Sequence, residues 1–378
     1  MQIYVLDDTY SPVFVIDSFT SLIWTKRFFD CGDFELYMPA DKKILDYIHE
    51  DSFLIRDDDD SVMVVERFRI STDAENGDYF IFSGRSLESI LYRRIFQKQF
   101  IVSDTTINSA VQKMATECTT TNRPSETYRQ IPGLTVDTEN IIEKKISCQF
   151  TGQTLLDGIV SICQPDDIGI KMVISGHNLI LSFYKGQENG VIFSTEFDNI
   201  ISSAYEYDIT NYATYLEIAG EGEGKNRRYA GIFVHPIYPT YIRDSGLKLR
   251  EKFVDARDIS SNDGEIETYD YDSMLIARGR EKLSEYEIVQ TFECEVEPRI
   301  QYVYKRDYSL GDIVKVETDY GVQVDARITE IIESWDNEGY RIIPKIESTE
   351  QSMGHIVLTD KNRYILKDSN GYILTVQG

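Results

Sequence analysis

Nine prolines, four histidines and five cysteines in 378 residues leave the chain little from which to build a metal centre or covalent bracing. The cysteines, Cys31, Cys118, Cys148, Cys163 and Cys294, are odd in number and widely spaced. That spacing fits neither a zinc knuckle nor a disulfide framework, and buried thiols are the expectation. His49, His177, His235 and His355 lie far apart with no HxH or HxxxH spacing, and neither GxSxG nor a Cys–His signature occurs, so metal catalysis and acyl transfer lose support together. No run of about 18 apolar residues is present, and the opening MQIYVLDDTYSPVFVID has no basic stretch leading into an apolar one. Membrane spanning and Sec export are therefore not expected. Basic residues are also short: Lys+Arg 39 against Asp+Glu 64 gives a formal charge of -25. Such a surface opposes the counterion-release attraction that dominates binding to phosphate backbones, which disfavours a nucleic-acid reader.

What is present points to strands. Tyr 25 and Phe 18 against few prolines favour β structure over disorder. A single core stops growing near roughly 250–300 residues, so this length predicts two to three domains. Residues 1–100 read as short strands at 3–6, 12–16, 22–29, 34–38, 52–56, 62–70 and 79–83, with helical segments starting at Asp41 and, capped by Ser86, at Leu87. Residues 101–200 change to a 3.6 period, Ile107, Ala110, Val111 and Met114 forming one stripe and Leu155, Leu156, Ile159 and Ile162 another, which predicts an α/β insertion. Between these stripes, TTTNRPSETYRQIPGL reads as an exposed connector. Residues 201–350 return to strands around a long helix at about 272–286, with close approach to a sheet at Gly279. Residues 351–378 repeat a three-residue apolar core every eight residues, IVLTDKNR, YILKDSNG and YILTVQG, as tiny strands with polar turns. The fold class is mainly β with α/β insertions.

Three segments offer chemistry. EGEGKNRR around Lys225 lacks the GxxxxGK[ST] spacing of a phosphate loop. In DARDISSNDGEI, Asp258, Ser260 and Asn262 alternate as calcium ligands do, but Gly264 falls one residue late and Tyr269 stands where a glutamate is needed. Asp57, Asp58, Asp59 and Asp60 repel one another unless solvated, which predicts a hairpin tip in water, with a bound cation as the alternative. A carboxylate pair for glycoside hydrolysis is defined by distance in space and shifted pKa, which the residue order does not contain. No catalytic, cofactor-binding or metal-binding residue is assigned, and no cofactor is expected.

Four phrases in order carry a family resemblance: Trp24-Thr-Lys-Arg27, then CGDFELYMP at Cys31 to Pro39, then FSGRSL at Phe82 to Leu87 followed by Arg93 and Arg94, and YSLGDIVKV at Tyr308 to Val316. Together they resemble the ReqiPepy-type siphovirus tail proteins and, beyond them, tail-associated hubs that share a fold with the baseplate hub of contractile phages. The resemblance implies tail-tube-like β-barrel domains, two per subunit, assembled as a homotrimeric ring that closes the distal end of the tail tube in the virion. It further implies distal tail, tail tube, tape measure and tip or fibre proteins as partners, with DNA passing through an acidic lumen unbound. Residues 351–378 are expected to be an assembly element outside the hub core. A carbohydrate- or receptor-binding β protein, using Tyr-rich loops such as Tyr238 to Asp244, is the competing reading.

Overall fold

The computed structural model describes residues 1–73, 77–120, 127–138, 141–197, 199–233, 246–286, 288–296, 302–317, 323–348, 355–357 and 375–377. Alternation builds the first unit. In β4 (Asp33–Pro39), DFELYMP, the side chains of Phe34, Leu36 and Met38 point inward while Glu35 and Pro39 face water. It is joined by β1 (Ile3–Leu6), β2 (Pro12–Ile16), β3 (Ser21–Arg27), β5 (Phe53–Arg56), β6 (Val62–Asp73) and β7 (Gly77–Ser86). Their inward residues, among them Ile3, Leu22, Trp24, Met63 and Phe82, form one apolar core. The helical segments expected at Asp41 and Leu87 are 3-10 turns, Lys42–Asp46 and Leu87–Arg93. Asp41 caps the first by accepting from the Lys43 N–H. Ser86 does not cap the second: its Oγ accepts from the Gly32 N–H and donates to Glu88 instead.

The 3.6-period stripes become α1 (Ile107–Thr119) and α2 (Leu155–Cys163), which pack on β8 (Phe100–Thr106), β9 (Leu134–Val136), β10 (Lys145–Phe150), β11 (Gly169–Ser175) and β12 (Asn178–Tyr184) around a second core. Thr154 caps α2 by accepting from the Asp157 N–H. The connector is only partly exposed. Residues 121–126 lie outside the described residues, but Arg129 is buried, donating to the Ile95 carbonyl and to Gln97, because a loop lying on a packed module must satisfy its polar groups there.

The chain then runs through β13 (Glu188–Ser194) and β14 (Ile200–Asp208) before a small α/β module of β15 (Tyr215–Ala219), β16 (Tyr229–Phe233), β17 (Glu251–Asp255) and α3 (Thr268–Leu283). This module has its own core, including Leu216, Ile218, Tyr271 and Leu275. A Cβ on Gly279 of α3 would stand 2.6 Å from Ile232 Cδ1 and 2.8 Å from Ile218 Cδ1, so a larger residue would have to displace both isoleucine side chains for the helix to keep this approach to the sheet. Strands β18 (Val289–Val296), β19 (Ile313–Glu317), β20 (Gln323–Asp336) and β21 (Gly339–Ser348) complete another core with Phe193, Phe292, Ile328 and Ile346.

These two β cores share one 13-stranded sheet, ordered β14-β18-β21-β20-β3-β4-β7-β6-β5-β1-β2, with β19 pairing both β20 and β13. The join is β20: its first half pairs β19, its second half pairs β3 from Glu330 with Arg27 to Trp335 with Leu22, and it serves both cores. At the C-terminal repeat, β22 (His355–Val357) pairs antiparallel with β23 (Thr375–Gln377), and the middle member lies outside the described residues.

Candidate functional site

The four aspartates joining β5 to β6 lead into a polar cluster: Asp57, Asp58 and Asp60 are exposed, as expected of a hairpin tip in water, while Asp59 turns inward. The Asp59 side chain is 1% exposed. One of its oxygens meets Lys26 Nζ at 2.5 Å and Lys305 Nζ at 2.8 Å, while the other accepts from the Ser61 N–H and Oγ. Ser61 Oγ also accepts from Trp24 Nε1 at 2.9 Å. Next to it, fully buried Arg56 donates twice to Asp58 and twice to Glu333, and stacks 4.3 Å from the Trp335 ring. Glu333 also takes Lys26 at 3.1 Å and the Tyr340 hydroxyl at 3.0 Å, and Asp60 takes Lys171 at 2.7 Å.

Lys26, Arg56, Lys171 and Lys305 thus face Asp58, Asp59, Asp60 and Glu333, so the cluster is close to neutral. Like charges in sequence are tolerated because each meets an opposite charge brought from elsewhere in the fold. Burial alone would push the Asp59 carboxyl up, but Lys26, Lys305 and Ser61 outweigh it and hold it well below the ordinary carboxylate range. Both Asp59 oxygens are thus already engaged, one by two ammonium groups and the other by Ser61. Among the described residues no group of three His, Cys, Asp or Glu is placed to hold a metal ion.

Beside the cluster, a cleft of about 930 Å³ opens between the first β unit, the α1–α2 module and the second β core, its walls including Asp60, Lys171, Tyr184, Asn189, Tyr304 and Asp312. Two fastenings close its base. Fully buried Glu88 accepts from Ser86 Oγ at 2.5 Å and from the Met172 N–H at 2.7 Å, tying the first unit to β11. Across the cleft, Asp312 accepts from the Gln187 N–H, from Asn189 and from the Ser309 N–H, and buried Arg327 donates to the Gly311 carbonyl while stacking 5.1 Å from Phe28. Members of all four sequence phrases line this cleft: Lys26 and Arg27, then Gly32, then Ser86, then Leu310 and Asp312.

Glu88 yields a testable pH effect. Burial raises its pKa above the ordinary value, against the hydrogen bonds from Ser86 and Met172. The folded protein thus holds this proton more tightly than the unfolded chain, so its stability falls as pH rises through and above the ordinary glutamate range of about 4.3. A glutamine at this position could accept from the Met172 N–H and donate to Ser86 without charge. Glu88→Gln is expected to lose this part of the pH dependence and to match or exceed the wild type by on the order of 1 kcal/mol at pH 8. Urea unfolding at pH 5 and pH 8 measures it; a variant weaker than wild type at both values contradicts it.

The remaining sequence candidates take structural roles. Lys225 is exposed on the short turn Gly224–Asn226 joining β15 to β16. Asp258 is held by a two-pronged contact from Arg278, and Asn262 and Asp263 turn at positive φ. Cys31, Cys118, Cys163 and Cys294 are buried free thiols and Cys148 is half-buried. Residues 238–244 lie outside the described residues. The charge cluster escaped sequence reading; the one available hint was an acidic run flanked by Arg56 and preceded in the chain by Trp24-Thr-Lys-Arg27.

This architecture, two β cores on one sheet with α/β insertions, is that of phage tail proteins. A tail protein from Neisseria meningitidis MC58 aligns at TM-score 0.57 and 13% identity over 92% of this chain and 96% of that one. The 43 kDa tail protein of prophage MuSo2 from Shewanella oneidensis aligns at 0.57 and 15% over 92% and 98%. Prophage tail protein gp18 from Listeria monocytogenes EGD-e gives 0.51 and 13% over 93% and 96%. At these identities the likeness is one of fold. Residues 2–346 match the Siphovirus ReqiPepy6 Gp37-like protein family, and the chain belongs to it. No curated protein matches the chain.

Proposed function

We propose that this tail protein is the hub at the distal end of the tail tube: a homotrimer whose two β units per chain make a pseudo-sixfold ring around the DNA path. The observation that carries the reading is the shared sheet. Two separate β cores sit side by side on 13 continuous strands and are locked at one relative angle by a buried, charge-balanced cluster. A ring that must hold its bore needs such a lock, because a flexible hinge between the two units would let the bore vary. The charge of -25 suits a lumen through which DNA slides without adhering.

In this reading the tube and distal tail proteins dock on the ring's two faces, the tape measure protein lies in the bore, and residues 351–378 attach the tip or fibre protein. Strands of three residues bury too little to stand alone, and a partner's sheet edge would complete them. Electron cryomicroscopy of tail tips, with the ring labelled through this chain, is the test. Three copies per tip with threefold symmetry are expected; one copy, or six, overturns the hub reading.

A further inference from the structure

The two ends of the sheet's main path, β2 and β14, are finished differently. At one end β2 is five residues long and opens with Pro12, which offers no N–H to an incoming strand, a common way to blunt an edge. At the other end β14, IISSAYEYD, runs nine residues without proline or lysine. Among the described residues it pairs only with β18, and residues 201–207 are exposed on both faces. Tyr205 lies opposite Phe292 and Ser203 opposite Cys294, both buried in the second β core. Opposite residues share a face, so Tyr205 and Tyr207 continue the core face by one strand, yet they are 39% and 42% exposed. A core face that outruns its own core needs a cover.

The first unit has a matching open edge. Pairing of β5 with β6 ends at Val64, and among the described residues the far half of β6 pairs only with β7. Phe68 and Ile70 lie opposite Phe82 and Phe80, on the core face, but are 40% and 57% exposed. Arg67 and Arg69 occupy the other face and make no ion pair among the described residues.

We propose that the β6 edge of one copy pairs antiparallel with the β14 edge of the next, in the register that sets Arg67 opposite Asp208, Phe68 opposite Tyr207, Arg69 opposite Glu206 and Ile70 opposite Tyr205. The proposal rests on the ring reading above. One register matches both charge pairs and both apolar pairs. Pairing β14 with itself would leave Glu206 and Asp208 facing no cation. The strand directions agree as well. Core-facing Val65 bonds its backbone toward β5, and core-facing Ile328 bonds toward β19, with β14 three antiparallel steps away on the other side of β20. Core-facing residues of both strands therefore turn their N–H and C=O to the open edge, and only an antiparallel pair then keeps both core faces on one side. Two different edges joined head to tail propagate around a ring until it closes.

The test uses full-length chain in tail tips assembled during infection. R67E/R69E and E206R/D208R should each lower the yield of trimeric tips at least about tenfold through like-charge contact, and the chain carrying all four changes should restore it. Restoration also shows that the single reversals fold. Opposite Cβ atoms lie about 5 Å apart, so R69C with E206C should give a covalent trimer with a short bis-methanethiosulfonate linker, each thiol displacing methanesulfinate. R69C with S202C, displaced by four residues or roughly 13 Å, should not. A threefold tip without the 69–206 link, or without restoration, overturns this pairing and leaves the hub standing; a tip without threefold symmetry overturns the hub reading and this pairing with it.

Discussion

Asp59→Asn is expected to destabilise the protein by about 3–5 kcal/mol, the usual cost of removing one partner from a buried ion pair. The amide would leave Lys26 and Lys305 facing each other, because both ammonium groups approach the same Asp59 oxygen. Lys26 retains Glu333 at 3.1 Å, while Lys305 retains the Asp58 carbonyl and the Tyr304 ring. The double change Asp59→Asn with Lys305→Met removes the orphaned charge and is expected to recover part of the loss. The pH dependence has a definite sign. The Asp59 pKa is lowered in the folded protein, so the unfolded chain binds this proton more readily. The contribution of Asp59 is complete above the ordinary aspartate range, near pH 5, and is lost as pH falls below about 4. Denaturant titrations at pH 7 and pH 3.5 should show the wild type approaching the variant in acid. An Asp59→Asn protein of wild-type stability at pH 7 would mean the cluster is not buried.

Gly186→Ala is expected to cost about 3 kcal/mol, at the upper end for forced overpacking. A Cβ there would lie 1.6 Å from the Gly311 carbonyl oxygen and 2.6 Å from the Asp312 nitrogen, both backbone, so no side chain can swing aside. The segment after β12 would have to move off the Leu310-Gly311-Asp312 turn, losing the Gln187 N–H to Asp312 contact and the Ile313 N–H to Gln187 carbonyl contact. Gly190→Ala is the control, four residues on, where an added Cβ meets nothing within 4 Å. Urea midpoints of the two variants should separate clearly, and protease cleavage between β12 and β13 should accelerate for Gly186→Ala alone. Equal midpoints would contradict the contact.

Asp59 showed in the chain only as one of four acidic neighbours and Gly186 showed as nothing special, and the reason is physical. Alternation in DFELYMP, the stripes of α1 and α2, the Thr154 cap and the tight packing at Gly279 are local signals: each is a period or a neighbour within a few positions, and each is legible in the chain alone. The order of the four family phrases was likewise enough to point to tail proteins. By contrast, Arg56 meets Glu333 across 277 positions and Arg27 meets Glu330 across 303, and no spacing rule reaches that far. Asp57 to Asp60 read as a solvated tip because the chain shows only their mutual repulsion; that holds for exposed Asp57, Asp58 and Asp60, but Asp59 is buried against Lys26 and Lys305, which arrive through β3 and the turn before β19. The same holds for β14. IISSAYEYD reads as any half-buried strand, and only its place at the end of the sheet's main path leaves its core-side residues partly exposed. Composition and periodicity determined which segments are strands and helices and which face of each is apolar; the tertiary structure decided which charges are neutralised and which edges stay open, because both depend on distances between residues that sequence separation does not encode.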